Sequence, residues 1–150
     1  AVMLAHGVNH IRPDIDGTAA WFGSMGMKPA KLHAWLASVT EIGAGVLLAL
    51  GLLTPFAAAG VVGVMFVAWA INHRGNGFFI FRPGEGWEYV MTLGLVGLAI
   101  GTIGPGTWSL DEAFGLNDDF IGWTGLLIAA IGGLGGGAAL LATCWRPEPS

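Results

Sequence analysis

Charged residues are scarce in this chain of 150 residues. Lysine and arginine together number 6 and aspartate and glutamate 10, so that 11% of the side chains are charged, whereas 54% are hydrophobic. A soluble domain usually carries about a quarter charged residues, and a surface with so few charges promotes aggregation in water. The composition therefore excludes an ordinary soluble domain and predicts an integral membrane protein that lies in a lipid bilayer.

Other features that the sequence lacks narrow the function. The single cysteine, Cys144, excludes an internal disulfide. The sequence contains no Cys-x-x-Cys, no His-Glu-x-x-His and no phosphate-binding loop, and it has no basic stripe that would bind nucleic acid. It therefore identifies no catalytic residue, no metal-binding motif and no nucleic-acid partner. These absences favour a subunit or a binding protein over a stand-alone enzyme.

Long apolar runs predict an all-α fold, a polytopic bundle of transmembrane helices that forms one membrane domain over residues 1–150. A spanning helix needs about 20 apolar residues, and four complete spans fit the runs at 34–53, 56–71, 87–103 and 120–145. Residues 1–11 form a partial first span, so we expect that upstream residues are missing, with a cleaved signal peptide as the rival explanation. The mixed apolar character of residues 18–25 predicts a short interfacial helix.

The basic residues predict how the bundle is oriented. Because spans alternate in direction, residues 9–33, residues 72–88 and the C-terminal tail share one membrane face, whereas residues 104–119 lie on the other. All 6 basic residues fall on the first face and none on the second. Since cytoplasmic loops carry an excess of lysine and arginine, we expect the first face to be cytoplasmic.

Glycine recurs at the spacing of helix contacts. The chain has 26 glycines, and Gly97 with Gly101, and Gly133 with Gly137, are each separated by four positions. Small residues at this spacing let the backbones of two membrane helices approach closely. The pattern predicts helix-packing positions, although a general tolerance of glycine in membrane helices explains it equally well.

Five ionisable residues lie within or at the ends of the predicted spans. Each such group costs roughly 2.5–3.5 kcal/mol in a membrane helix, so it needs an explanation. Glu41 lies about 10 Å inside its span at 1.5 Å per residue. His6 and His10 lie one turn apart near the end of the partial first span, His73 ends the second full span, and Glu88 begins the third. The alternating topology brings all five toward one face, which predicts a polar pocket between the helices.

Three interpretations of this pocket are open. In the first, a histidine bonds to Glu41 only to hold the helices together, while His73 and Glu88 face the lipid headgroups. In the second, the pocket binds a small molecule such as a quinone headgroup, because a His/Glu pair supplies hydrogen-bond donors and acceptors within an apolar slot. In the third, it binds a metal or haem, which is less favoured because His6 and His10 share one helix face and form no obvious axial pair.

Four of these residues, His6, Glu41, His73 and Glu88, lie within a series of six short segments that follow one another in a fixed order. These segments are 6–7, 21–29, 41–45 with 50–54, 73–79, 86–89 and 104–111. Together they resemble the DoxX family of small bacterial membrane proteins. Two positions depart from the family pattern, since His10 stands where lysine is usual and Pro55 where arginine is common. The last span, 120–145, extends beyond the usual four-helix core.

The resemblance implies a four-helix membrane bundle in the bacterial inner membrane, linked to redox chemistry through thiosulfate:quinone oxidoreduction. The leading hypothesis is a DoxX-like core with an additional C-terminal transmembrane helix, in which His6, Glu41, His73 and Glu88 bind a quinone-like molecule. Glu41 would exchange protons and the histidines would orient the headgroup. The alternative is a non-catalytic accessory subunit that docks on a larger respiratory, photosynthetic or transport complex through its glycine-rich last span.

Overall fold

The computed structural model describes residues 1–12 and 14–147, and its regular elements are helices. Residue 13, in the predicted loop 9–33, and residues 148–150 of the predicted cytoplasmic tail lie outside the described residues. The helices are α1 Val2–Ile11, α2 Ile15–Ser24, α3 Ala30–Leu50, α4 Thr54–His73, α5 Glu88–Ile103, α6 Leu110–Ala113, α7 Asn117–Phe120 and α8 Gly122–Cys144. The predicted all-α bundle is confirmed.

Among residues 1–12 and 14–147, three helices are long and apolar enough to cross a membrane. By length and composition these are α3, α4 and α8, with mean hydropathies of 1.4, 1.9 and 1.9, whereas the apolar helix α5 is shorter. Large apolar side chains cover the outside of the bundle, and Trp123 and Ile131 are 78% and 67% exposed. Such a surface is stable in hydrocarbon and not in water, so the chain is a membrane protein that lies in a lipid bilayer.

Local chemistry sets where the helices begin and end. Helix α2 starts at Ile15, earlier than hydropathy predicts, because the carboxylate of Asp14 accepts hydrogen bonds from the N–H groups of Asp16 and Gly17, each at 2.9 Å. Helix α3 starts at Ala30 instead of residue 34 and stops at Gly51, whose φ of +59° is readily adopted by glycine. These shifts lengthen α3 toward the loop that precedes it.

A buried carboxylate closes one end of the bundle. Asp111 is 0% exposed, and its two oxygens accept hydrogen bonds from the N–H groups of Leu53 at 2.7 Å and Thr54 at 2.9 Å. These N–H groups begin helix α4 and have no partner within the helix, and a negative charge there also interacts favourably with the helix dipole. The sequence analysis placed residues 104–119 between two spans without a role for Asp111, whereas the structure makes this residue the cap of α4.

Helix α8 packs on α4 through its glycines. A Cβ atom added at Gly133 would lie 2.7 Å from Cγ1 of Val62, and one added at Gly137 would lie 2.9 Å from Cδ1 of Phe66. Both distances are too short for a real carbon contact, so the two backbones meet because these positions carry no side chain. This glycine face is therefore covered within the chain itself, and an external partner would have to meet another face of α8.

The glycines of α5 lie at equally close contacts. A Cβ atom at Gly97 would lie 3.1 Å from Cγ2 of Val62, and one at Gly101 would lie 2.8 Å from Cβ of Ala129. Helix α5 thus packs against both α4 and α8 along these positions. All four glycines predicted to pack helices lie where two helices of this chain touch.

We expect Asp111→Ala to lower the free energy of unfolding by about 2–3 kcal/mol, because two charge-assisted hydrogen bonds are lost and buried N–H groups are left without an acceptor. The melting temperature of the protein in detergent measures the effect. Asp119→Ala is the control, since Asp119 is an exposed aspartate of the next short helix, α7. Equal melting temperatures for the two variants would show that the cap contributes nothing.

We expect Gly133→Ala to destabilise the protein by about 1–3 kcal/mol, as overpacking usually does, because the new methyl group would collide with Val62. Gly135→Ala is the matched control in the same helix, since a Cβ there meets nothing within 4 Å, and alanine favours helix more than glycine does. Melting temperatures of both variants test the packing. A Gly133→Ala protein as stable as Gly135→Ala contradicts it.

Candidate functional site

A cavity of about 550 Å³ lies among helices α1 to α4, the start of α5 and helix α8. Its volume is in the usual range of small-molecule sites. Most of its lining is apolar, but four of the five residues that the sequence singled out also line it, namely His6, His10, Glu41 and His73. The structure therefore brings these four residues to one cavity.

Glu41 and His10 form the polar contact nearest the middle of helix α3. Glu41 is 3% exposed, and its Oε2 lies 3.1 Å from Nδ1 of His10. Helix α1 comes this close because it crosses α3 at Gly7, where an added Cβ would lie only 2.8 Å from the backbone oxygen of Ser38. The two atoms are at ion-pair distance, but neither makes an aligned hydrogen bond to any described residue. Both therefore keep unused hydrogen-bonding capacity.

His33 is a buried polar residue of the same cavity that the sequence reasoning missed. It is 3% exposed, and its Nε2 lies 3.3 Å from the backbone oxygen of Lys28. A carbonyl can only accept, so Nε2 carries the hydrogen and Nδ1 of the neutral ring is an acceptor. This Nδ1 is buried without a partner within the described ranges. The sequence did contain one signal for His33: it precedes Glu41 by eight residues, a spacing that can place both side chains along one helix.

The segment that orients His33 is held by the end of helix α8. The residues directly after α8 run antiparallel to residues 25–28 over a short stretch. Three hydrogen bonds join the two segments: Trp145 Nε1–H to Met25 O at 2.8 Å, Arg146 N–H to Gly26 O at 2.7 Å, and Lys28 N–H to Cys144 O at 2.9 Å. This contact, which we call the C-terminal clasp, fixes the carbonyl to which His33 donates.

His73 and His6 line the cavity in different ways. The Nδ1 of His73 donates to the backbone oxygen of Glu85 at 2.8 Å, and its Nε2 lies 3.3 Å from the side-chain nitrogen of Asn72. Both ring nitrogens of His73 are thus used within the protein. His6 is exposed, and its ring centroid lies 6.1 Å from that of Tyr89. These two histidines therefore belong to the rim of the cavity and not to its buried polar end.

The structure corrects the expectation for Glu88. Its side chain does not line the cavity; Oε2 instead accepts a hydrogen bond from the N–H of Ile80 at 3.3 Å. The physical reason is the path of residues 74–87, which fold back before α5 and present a free backbone N–H to this carboxylate. Glu85 and Tyr89, on either side of Glu88, line the cavity instead.

Comparison with known proteins bears on the first half of the chain. The family model DoxX matches residues 1–74. Residues 1–74 belong to the DoxX family. This DoxX match covers α1 to α4, and with them all four histidines and Glu41, but it ends before residues 86–111, which the sequence resemblance also included. No curated protein and no solved structure matches the chain significantly.

The described polar groups that line the cavity do not form a metal-binding cluster. Among residues 1–12 and 14–147, no group of three or more His, Cys, Asp or Glu side chains is placed to hold a metal ion. Their unused capacity is instead that of hydrogen bonding, at Glu41, His10 and His33. The cavity thus has a buried polar end and an apolar body, an arrangement that suits an organic ligand with a polar headgroup.

We expect Trp145→Phe to lower the free energy of unfolding by about 1 kcal/mol, since the ring stays apolar but the hydrogen bond to Met25 is lost. Melting temperature in detergent measures it. Trp123→Phe serves as control, because the Trp123 ring is largely exposed. If both variants melt alike, the clasp does not depend on the indole N–H.

Proposed function

We propose that this protein is a redox-associated member of the DoxX family that binds a quinone-like small molecule in the cavity between α1, α3 and α4. The observation that supports it is a buried carboxylate, Glu41, with an unused oxygen beside His10 in a mostly apolar cavity of about 550 Å³. Burying such a group is costly unless a partner satisfies it. A ligand headgroup is the partner that this proposal supplies.

The cavity has an apolar body and a buried polar end, and this division supports a separate role for each group of lining residues. In the proposal the apolar lining holds the ring substituents and the tail, while Glu41 exchanges a proton with the headgroup. His10 lies 3.1 Å from Glu41 and orients it. His6, next to Tyr89, lies on the exposed side, where a lipid-soluble ligand would enter from the bilayer. His73 holds the chain segment after α4 in place through its bonds to Glu85 and Asn72.

The proposed location is the bacterial inner membrane, with residues 9–33 and 72–88 and the C-terminus on the cytoplasmic side. Basic residues from separate loops support this orientation because they gather at one end of the bundle. The guanidinium of Arg74 lies 5.5 Å from the ring centroid of Trp145, whose neighbour Arg146 is part of the C-terminal clasp. The acidic residue Asp111 lies at the opposite end of α4. This distribution follows the positive-inside rule.

Substitution of Glu41 tests the proposed function. A decyl-substituted benzoquinone is titrated into purified protein in its oxidised and its reduced form, and binding is followed by tryptophan fluorescence. We expect Glu41→Gln to weaken the tighter-binding form by about tenfold or more, because a hydrogen bond to a charged group is lost.

Glu112→Gln is the matched control for this titration, because Glu112 is exposed in the loop at the other end of the bundle. It should bind both forms as the unmodified protein does. Affinity that is unchanged in Glu41→Gln, or an unmodified protein that binds neither form, removes the proposal and leaves Glu41 as a group that only holds α1 against α3.

A further inference from the structure

We infer that the cavity binds the reduced, dihydroxy form of its ligand more tightly than the oxidised dione, and that His33 is the residue that distinguishes the two forms. The inference rests on the proposed function and deepens it by naming the redox state that binds. It follows from which hydrogen-bonding groups at the buried end of the cavity are already used and which are left.

The hydrogen on His33 is assigned by its neighbour. Nε2 faces the carbonyl of Lys28 at 3.3 Å, and a carbonyl oxygen offers lone pairs only, so the hydrogen of the neutral ring lies on Nε2. The other nitrogen, Nδ1, is then a lone-pair acceptor. It is buried and has no partner in the described part of the chain. A ligand that satisfies His33 must therefore bring a donor.

The pair His10 and Glu41 leads to the same result. Nδ1 of His10 and Oε2 of Glu41 lie 3.1 Å apart without an aligned hydrogen bond between them. A carboxylate has no hydrogen to donate and accepts up to about four hydrogen bonds, so the oxygens of Glu41 can accept from a ligand. The free capacity of Glu41 is thus for accepting hydrogen bonds.

The two acceptor positions suit the two ends of one ring. His33 and Glu41 are eight residues apart on α3, so their Cα atoms are separated by about 12 Å along the helix axis, and both side chains line the same cavity. A ring with hydroxyl groups at opposite positions can donate one hydrogen bond toward each end. The dione of the same ring has only carbonyl oxygens and would face these acceptors with lone pairs, which leaves buried groups on both sides unsatisfied.

Three probes of nearly equal shape test the inference on the intact protein in detergent, under anaerobic conditions. They are a decyl-substituted hydroquinone, its benzoquinone and its dimethoxy ether, which has the reduced ring but no O–H donor. We expect the hydroquinone to bind about tenfold more tightly than either of the others. This comparison needs no variant, so it does not depend on the folding of a mutant.

Variants of His33 test whether this residue is responsible for the preference for the hydroquinone. His33→Phe removes the acceptor, so the hydroquinone should lose about tenfold in affinity while the benzoquinone changes little. His33→Gln retains an acceptor oxygen and should restore part of the preference. A merely structural role of His33 would weaken all three probes together in both variants, and that result overturns the assignment of His33.

The failure of the inference is distinguishable from that of the proposed function. Equal binding of hydroquinone and benzoquinone, or tighter binding of the benzoquinone, overturns the redox selectivity and leaves quinone binding intact. Equal binding of hydroquinone and dimethoxy ether likewise overturns it, because O–H donation is then not what the cavity recognises. Binding of none of the three probes overturns both.

Discussion

The burial of the Glu41 carboxylate between α1 and α3 is the constraint on which the site depends. In an apolar bundle a carboxylate that is 3% exposed must find polar partners or be strongly destabilising. The close crossing of the two helices at Gly7 brings His10 to 3.1 Å, but this contact is not an aligned hydrogen bond and leaves Oε2 unsatisfied. The geometry thus combines a fixed helix pair with an incomplete polar network. A complete network would make the carboxylate only a packing device, whereas an incomplete one suits a binding site.

The second half of the chain builds the walls of a site whose polar groups come from the first half. The DoxX match ends at residue 74, yet α8 lines the cavity through its glycines and through Leu140. Its C-terminal clasp also holds residues 25–28, and with them the carbonyl that sets which nitrogen of His33 carries hydrogen. At the opposite end Asp111 fixes the start of α4. The cavity is therefore a property of the whole bundle, with its donor and acceptor pattern set by contacts far apart in sequence.

Hydropathy predicted the helices well because a long apolar run has one stable structure in a bilayer. It misplaced their ends where side-chain caps decide, as at Asp14, whose carboxylate starts α2 at Ile15. For the site, a position within or at the end of a predicted span selected four residues that do line the cavity and one, Glu88, that instead bonds to the backbone of Ile80. It passed over His33 because a histidine near a helix start looks interfacial in sequence. In the structure His33 is 3% exposed and bonds to the backbone oxygen of Lys28, which the C-terminal clasp holds.

The amino-acid order determined that the chain lies in a membrane as helices, since hydrocarbon offers no partner for free backbone N–H and C=O groups. It likewise determined that an ionisable side chain in the middle of a span, Glu41, would face inward and that glycines would mark helix contacts. Tertiary structure alone decided that His10, and not His6 one turn away on the same helix, meets Glu41. It also decided that His33 offers an acceptor and that the glycine face of α8 is covered. These outcomes depend on the register between helices and on the path of the loops, which are set by contacts between distant residues and leave no periodic mark in the sequence.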